Sequence, residues 1–246
     1  MATSLLIRAA ARGNRHVLRK LLQDGEDPNQ TDDAGMTPLH HAAQYGRLTS
    51  IRILLEHGAD PNRVTHEGLT PSMLLFSVPW GASAEVLRLL LDHGGGANAC
   101  DLEGRTLLYM ACHGEAELVK ILLDHGANVN ARTATDLTPL HRACQGEMDR
   151  RNTVYLLIEN GADLNAIDQQ GCAPIHDAAQ FPQNGALAIL AEIPAVNVHA
   201  VDKCGRTPYQ IALDNPHTNA AGILKRRLAR DMAEAQSSRK DPRVTL

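Results

Sequence analysis

The stretch TPLHHAAQYGRLTSIRILLEHGADPN, residues 37–62, holds the fold in miniature. Thr37 is a good helix N-cap, and Pro38 suits the first helical position, where its missing N–H costs nothing. Leu39, Ala42 and Ala43 lay down a short apolar face whose small residues let a second helix come close. Leu48, Ile51, Leu54 and Leu55 recur at helical spacing, and Gly58 supplies a left-handed stop. Turn-forming residues then lead through 59–68 to the next helix start. The stretch reads as two antiparallel helices and a turn segment, too small to bury a core alone.

The pattern recurs as GLTPSMLLF (68–76), GRTLLYMAC (104–112), LTPLHRAC (137–144), GCAPIHDAA (171–179) and GRTPYQIAL (205–213). Thr37, Thr70, Thr106, Thr138, Ala173 and Thr207 are separated by 33, 36, 32, 35 and 34 residues, and Ser4 lies 33 before Thr37. That makes seven units with a period in the range of stacked arrays. The expected boundaries are 4–36, 37–69, 70–105, 106–137, 138–172, 173–206 and 207–228, within an array over 1–228 followed by a flexible tail at 229–246.

From the glycine that ends each second helix to the next Thr position the span is 12 residues in all five measurable cases. The variation lies instead in the turn joining the two helices. SVPWG (77–81) is therefore an expanded turn, and Pro79 would cost ~3 kcal/mol inside a helix, so the first helix should end before it. Trp80, the one tryptophan, sits in that turn. Tyr45 and Phe181 fall at corresponding helix ends. Aromatic clustering of this kind marks either packing over the helix ends or contact anchors.

Composition narrows the function. The chain is 43% hydrophobic and 21% charged with a net charge of -4, which fits a globular protein and disfavours nucleic-acid binding through a strong overall positive field. No apolar run reaches membrane-spanning length, and the first residues do not read as a secretory signal. Five scattered cysteines (Cys100, Cys112, Cys144, Cys172, Cys204) suggest free thiols in a reducing, intracellular and cytoplasmic setting.

The motifs resemble the ankyrin repeat. TPLHHAA and TPLHRAC match its T-P-L-H-x-A signature, and LLEHGADPN, LLDHGANVN and LIENGADLN match its second-helix ending, over about residues 4–228. The resemblance implies an all-α solenoid of about seven helix-turn-helix units with projecting β-hairpin-like loops. It also implies a protein partner held on a concave face by hairpin tips and first-helix ends. Carried onto this chain, the partner-binding set is Met36, Leu69, Arg105 and Arg206 at the tips, with Tyr45, Trp80, Gln145 and Phe181 at the helix ends. Asp136 replaces the tip glycine of the hairpin that leads into the fifth unit, where a distorted turn is expected. Met73 and Tyr109 replace the signature histidine.

The remaining chemistry-bearing residues read as scaffold. His40, His141 and His176 hold the signature position, which in the family ties neighbouring loops together. His57, His93 and His125 precede helix-ending glycines, where an imidazolium suits a helix C-terminus. Cys112 and Cys144 align with Ala43 and Ala179, so they should be small core residues. HGGGANA (93–99) lacks the Lys-Ser/Thr of a phosphate loop, and the basic helix HTNAAGILKRRLARDM (217–232) should cap the last repeat. The ending Val244-x-Leu246 loosely resembles a PDZ-type ligand, and Asn62, Asn98, Asn130 and Asn165 resemble targets of an ankyrin asparaginyl hydroxylase. The expected function is a non-enzymatic adaptor or inhibitor, monomeric, without cofactor or metal and with no nucleic-acid or membrane partner. An assembly chaperone and a secreted effector acting on host proteins are the alternatives.

Overall fold

The computed structural model describes residues 4–77, 83–146, 148–181, 185–215 and 219–240. The chain divides into two compact units, Met1–Ala134 and Thr135–Leu246. The first contains α1 (Leu5–Arg12), α2 (Arg15–Gln23), α3 (Pro38–Gln44), α4 (Leu48–Glu56), α5 (Pro71–Leu74, extended as a 3-10 turn over Leu75–Ser77), α6 (Ala84–Asp92), α7 (Leu107–Ala111) and α8 (Ala116–Asp124). The second contains α9 (Pro139–Cys144), α10 (Arg151–Glu159), α11 (Pro174–Gln180), α12 (Ala186–Glu192), α13 (Pro208–Leu213) and α14 (Ala220–Lys240).

Within each unit the helices form two layers. In the first, α1, α3, α5 and α7 pack in one row and α2, α4, α6 and α8 in another; in the second, α9, α11 and α13 form one row and α10, α12 and α14 the other. Most of these helices run only 4–9 residues. Such lengths are marginal in isolation, so packing must hold them. Leu6, Leu18, Leu39, Ile51, Leu54, Leu87 and Leu90 are completely enclosed between the rows of the first unit.

Local chemistry starts five of the seven described first helices. Ser4, Thr37, Thr106, Thr138 and Thr207 accept a hydrogen bond from the amide three residues on. The signature histidine then works in both directions. His40 Nδ1 accepts from the Thr37 amide at 3.1 Å, and its Nε2 donates to the Leu69 carbonyl at 3.0 Å, in the hairpin that follows. His141 makes the same pair with Thr138 and Cys172, and His176 with Ala173 and Ala200. A carbonyl only accepts, so the proton sits on Nε2 and the ring is neutral. Burial lowers the His40 pKa to about 4.

The substitutions at this position are partly compensated. Met73 Sδ accepts from the Thr70 amide at 3.5 Å, and Gln210 Oε1 accepts from the Thr207 amide at 2.7 Å. Among the second helices, His57, His93 and His125 each donate from Nδ1 to the carbonyl four residues earlier. His125 also donates from Nε2 to Asp92 at 3.0 Å, and that bond raises its pKa. Asparagines stitch successive loops. The Asn62 amide donates to Gly94 O while its Oδ1 accepts from Gly96 N. Asn29, Asn98 and Asn165 repeat this geometry.

Two expectations need correction. The tail expected from residue 229 is helical to Lys240, because α14 continues through a run of good helix formers. At the hairpin that leads into Thr138, Asp136 adopts φ +63°, the same left-handed conformation as the tip glycines, so the expected distortion does not arise there. Aspartate tolerates this region better than most side chains.

Candidate partner-binding surface

Five of the hairpin tips are each built around one residue. Asp32, Asp101, Asp168 and Asp202 accept through Oδ1 from the amides two and four residues on, and Thr65 does so through its hydroxyl. The glycine of the turn then takes positive φ, as at Gly35 and Gly171. Neighbouring tips lie so close that a Cβ on Gly35 would stand 2.9 Å from His66, and one on Gly171 would stand 3.2 Å from the Lys203 amide. Backbone bonds from His66 to Ala34 and from Lys203 to Gln170 join adjacent tips.

This frame governs the tip residues singled out from the sequence. Arg105 folds back on Asp101 at 2.6 Å and reaches Glu103 at 2.7 Å. Its pKa is raised, first by the Asp101 hydrogen bond. Arg206 does the same with Asp202 at 2.9 Å. Both guanidinium groups are exposed but already neutralised. Met36 and Leu69 are half-buried, and the carbonyl of Leu69 is taken by His40. At Asp32 burial pushes the carboxyl up, but hydrogen bonds from His41 and from the Met36 and Ala34 amides more than offset it and hold it below its usual value.

At the helix ends, Tyr45 caps α3 and is 44% exposed. Trp80, with Val78, Pro79 and Gly81, lies outside the described residues, as do Val244 and Leu246. In the second unit Gln145 and Phe181 meet at one residue. Gln145 Nε2 donates to Asp177 Oδ1 at 3.3 Å, and the Phe181 amide donates to the Asp177 carbonyl at 2.9 Å. Asp177 Oδ2 is enclosed and has no hydrogen-bond partner. Burial raises this carboxyl to about 7.

Sequence reasoning missed Asp177, which occupies a variable position of the signature. It also missed a recurrent exposed apolar position on the hairpins. Val64, Ile167 and Val201 are 55%, 57% and 57% exposed. Each precedes the tip-forming Thr65, Asp168 or Asp202 by one residue, and that register was the available signal. Leu102, at a tip, is 76% exposed.

Among the described residues, no group of three or more His, Cys, Asp or Glu side chains is placed to hold a metal ion. Likewise no described helix is long and apolar enough to cross a membrane. Cys112 and Cys144 are fully buried. Burial, with Asp168, Asp177 and Asp202 nearby, pushes the Cys172 thiol up to about 11, which makes it a poor nucleophile.

The paired helices, signature histidines and asparagine stitches define a class, and the comparisons agree. A family model for ankyrin repeats in three copies matches residues 6–94 and 74–168. The chain belongs to the ankyrin repeat family. The human ASB11 ankyrin repeat domain is similar in structure, with a TM-score of 0.76 and 29% sequence identity, over 92% of this chain and 98% of that one. The ankyrin repeat domain of Bcl-3, described as a unique member of the IkappaB protein family, matches with a TM-score of 0.76 and 25% identity, over 91% of this chain and 99% of that one. Such arrays generally serve protein–protein interaction.

Proposed function

We propose that this chain is a non-enzymatic adaptor or inhibitor that holds a protein partner on its hairpin tips and first-helix ends. One observation carries the reading. Large apolar side chains stand exposed on hairpins whose own backbone groups are internally bonded, as at Val64, Leu102, Ile167 and Val201. A rigid frame that presents apolar surface lowers the ordering cost of binding. Tyr45 adds an aromatic of the kind enriched at binding hot spots. Five free cysteines suit a reducing compartment.

Proximity labelling with mass spectrometry tests this. Wild type is compared with a Tyr45→Ala/Trp80→Ala/Phe181→Ala variant and a Val64→Ser/Leu102→Ser/Ile167→Ser variant, each with an unchanged circular dichroism melt. A protein retained by wild type and lost from either variant supports the reading and locates the contact. Identical partner sets for all three overturn it.

A further inference from the structure

The first helix pair carries charge of one sign. Residues 4–23 contain Arg8, Arg12, Arg15, Arg19 and Lys20 and no acid, while the other residues hold 19 Lys and Arg against 28 Asp and Glu, a net of -9. All five side chains are exposed, and none makes an ion pair or side-chain hydrogen bond with a described residue. Arg8 and Arg12 share one face of α1, and Arg15 and Arg19 share one face of α2, each pair one helical turn apart. Arg47 joins them at the turn. Its Nε donates to the Ala11 carbonyl at 3.1 Å, and its Cδ lies 3.4 Å from where Gly13 would carry a Cβ.

Structural roles account for only part of this cluster. Arg12 and Arg47 sit at the C-terminal end of α1, where a cation is favourable. Arg15 opens α2, whose first turn has no acid, and a cation there opposes the helix dipole. Arg15 and Arg19 also repel each other at i, i+4 spacing. Elsewhere in the same unit the exposed Arg105 is neutralised by Asp101 and Glu103. Mixed charge would give the helix pair a polar outer surface without this repulsion.

We propose that this face docks a short acidic segment of a protein partner. It goes beyond the hairpin-tip reading, because it uses none of those residues. Arg8 and Arg12 span about 6 Å along α1, and packed helix axes lie about 10 Å apart, room for about three extended residues. A short run of carboxylates ends within that area. A nucleic-acid duplex or an anionic membrane would extend over the rest of the first unit, where residues 24–134 hold 7 Lys and Arg against 15 Asp and Glu. A membrane also lacks an apolar anchor here, since Leu5 is the one large hydrophobe of the described pair that is exposed.

Fluorescence anisotropy with a labelled octaglutamate peptide tests the proposal, with two-turn duplex DNA and phosphatidylserine vesicles measured in parallel. Wild type should bind the peptide saturably at low salt and release it as salt rises, a readout that requires no variant. The Arg8→Gln/Arg15→Gln/Arg19→Gln variant should bind about tenfold or more weakly, while the control Arg52→Gln/Arg88→Gln binds like wild type. Absence of saturable peptide binding, a patch variant equal to wild type, or tighter binding of the duplex or the vesicles overturns it.

Discussion

His40 and Leu69 are joined across 29 residues of sequence by a single bond, from the imidazole Nε2 to the carbonyl oxygen at 3.0 Å. Through it a helix start in one repeat holds the hairpin that follows. The ring is fully buried, so it serves this purpose only while neutral.

Replacing His40 by Ala should therefore cost about 3 kcal/mol, through lost packing and two unpaired buried backbone groups. A urea melt checks this, with an unchanged slope as the sign that folding remains cooperative. The pH dependence has a definite direction. The folded pKa is about 4, below the ordinary value of 6.5, so the unfolded chain binds the proton first. Stability is full above about pH 6.5, declines as pH falls towards 4, and is lower there by about 3 kcal/mol. The His40→Ala variant should lose this contribution to the decline.

Met73 takes only half of the histidine role. Its sulfur accepts from the Thr70 amide, but the Thr70 hydroxyl stays buried and unpaired. Met73→His should raise stability by about 1 kcal/mol. Hydrogen exchange should also slow in the third repeat, which is expected to exchange faster than the second in wild type. Unchanged exchange would mean that Met73 already packs as well as the imidazole.

Asp177 is a buried carboxyl with one oxygen unpaired and a pKa of about 7. Because the folded value lies above the unfolded one, the folded state holds the proton more tightly, and ionisation destabilises as pH rises past 4 towards 7 and above. Asp177→Asn should gain about 2 kcal/mol at pH 8 and little at pH 4. Thermal melts at the two pH values check the difference. An equal effect at both would show that the charge is not responsible.

Arg227 closes the second unit. Its guanidinium is 6% exposed and donates to the carbonyls of Ala191, Ile193 and Pro194 at the end of α12, while Asp231 neutralises it at 2.7 Å. Arg227→Ala should cost about 3 kcal/mol by stranding those carbonyls and the carboxylate. Arg227→Lys should recover only part of this, because an ammonium cannot span the fork. Denaturant midpoints measure both.

Much of the fold was legible because its signals are local. The Thr-Pro start, the alanine face and the glycine stop each act within a few residues, and their repetition set the period and the hairpin length. The role of His40, His141 and His176 as ties between loops came instead from the resemblance to the ankyrin signature, because each bond reaches a carbonyl 29, 31 or 24 residues away. The end of α14 was misread: polar composition suggested a tail from residue 229, but residues 229–240 contain neither Gly nor Pro, and their helix propensity outweighs it.

The binding surface was less legible, since exposure and pairing depend on neighbours distant in sequence. Motif position placed Arg105 and Arg206 at the tips, but not their return onto Asp101 and Asp202. It offered nothing on Asp177, whose burial arises between α9 and α11. By itself the sequence determined a succession of capped helix pairs joined by hairpins of constant length, because capping, propensity and turn chemistry are short-range. Only the tertiary structure decided which charges are neutralised, which carboxyl is enclosed and which cations stand free, because desolvation and Coulomb interaction depend on what the stacked neighbours bring within a few ångströms.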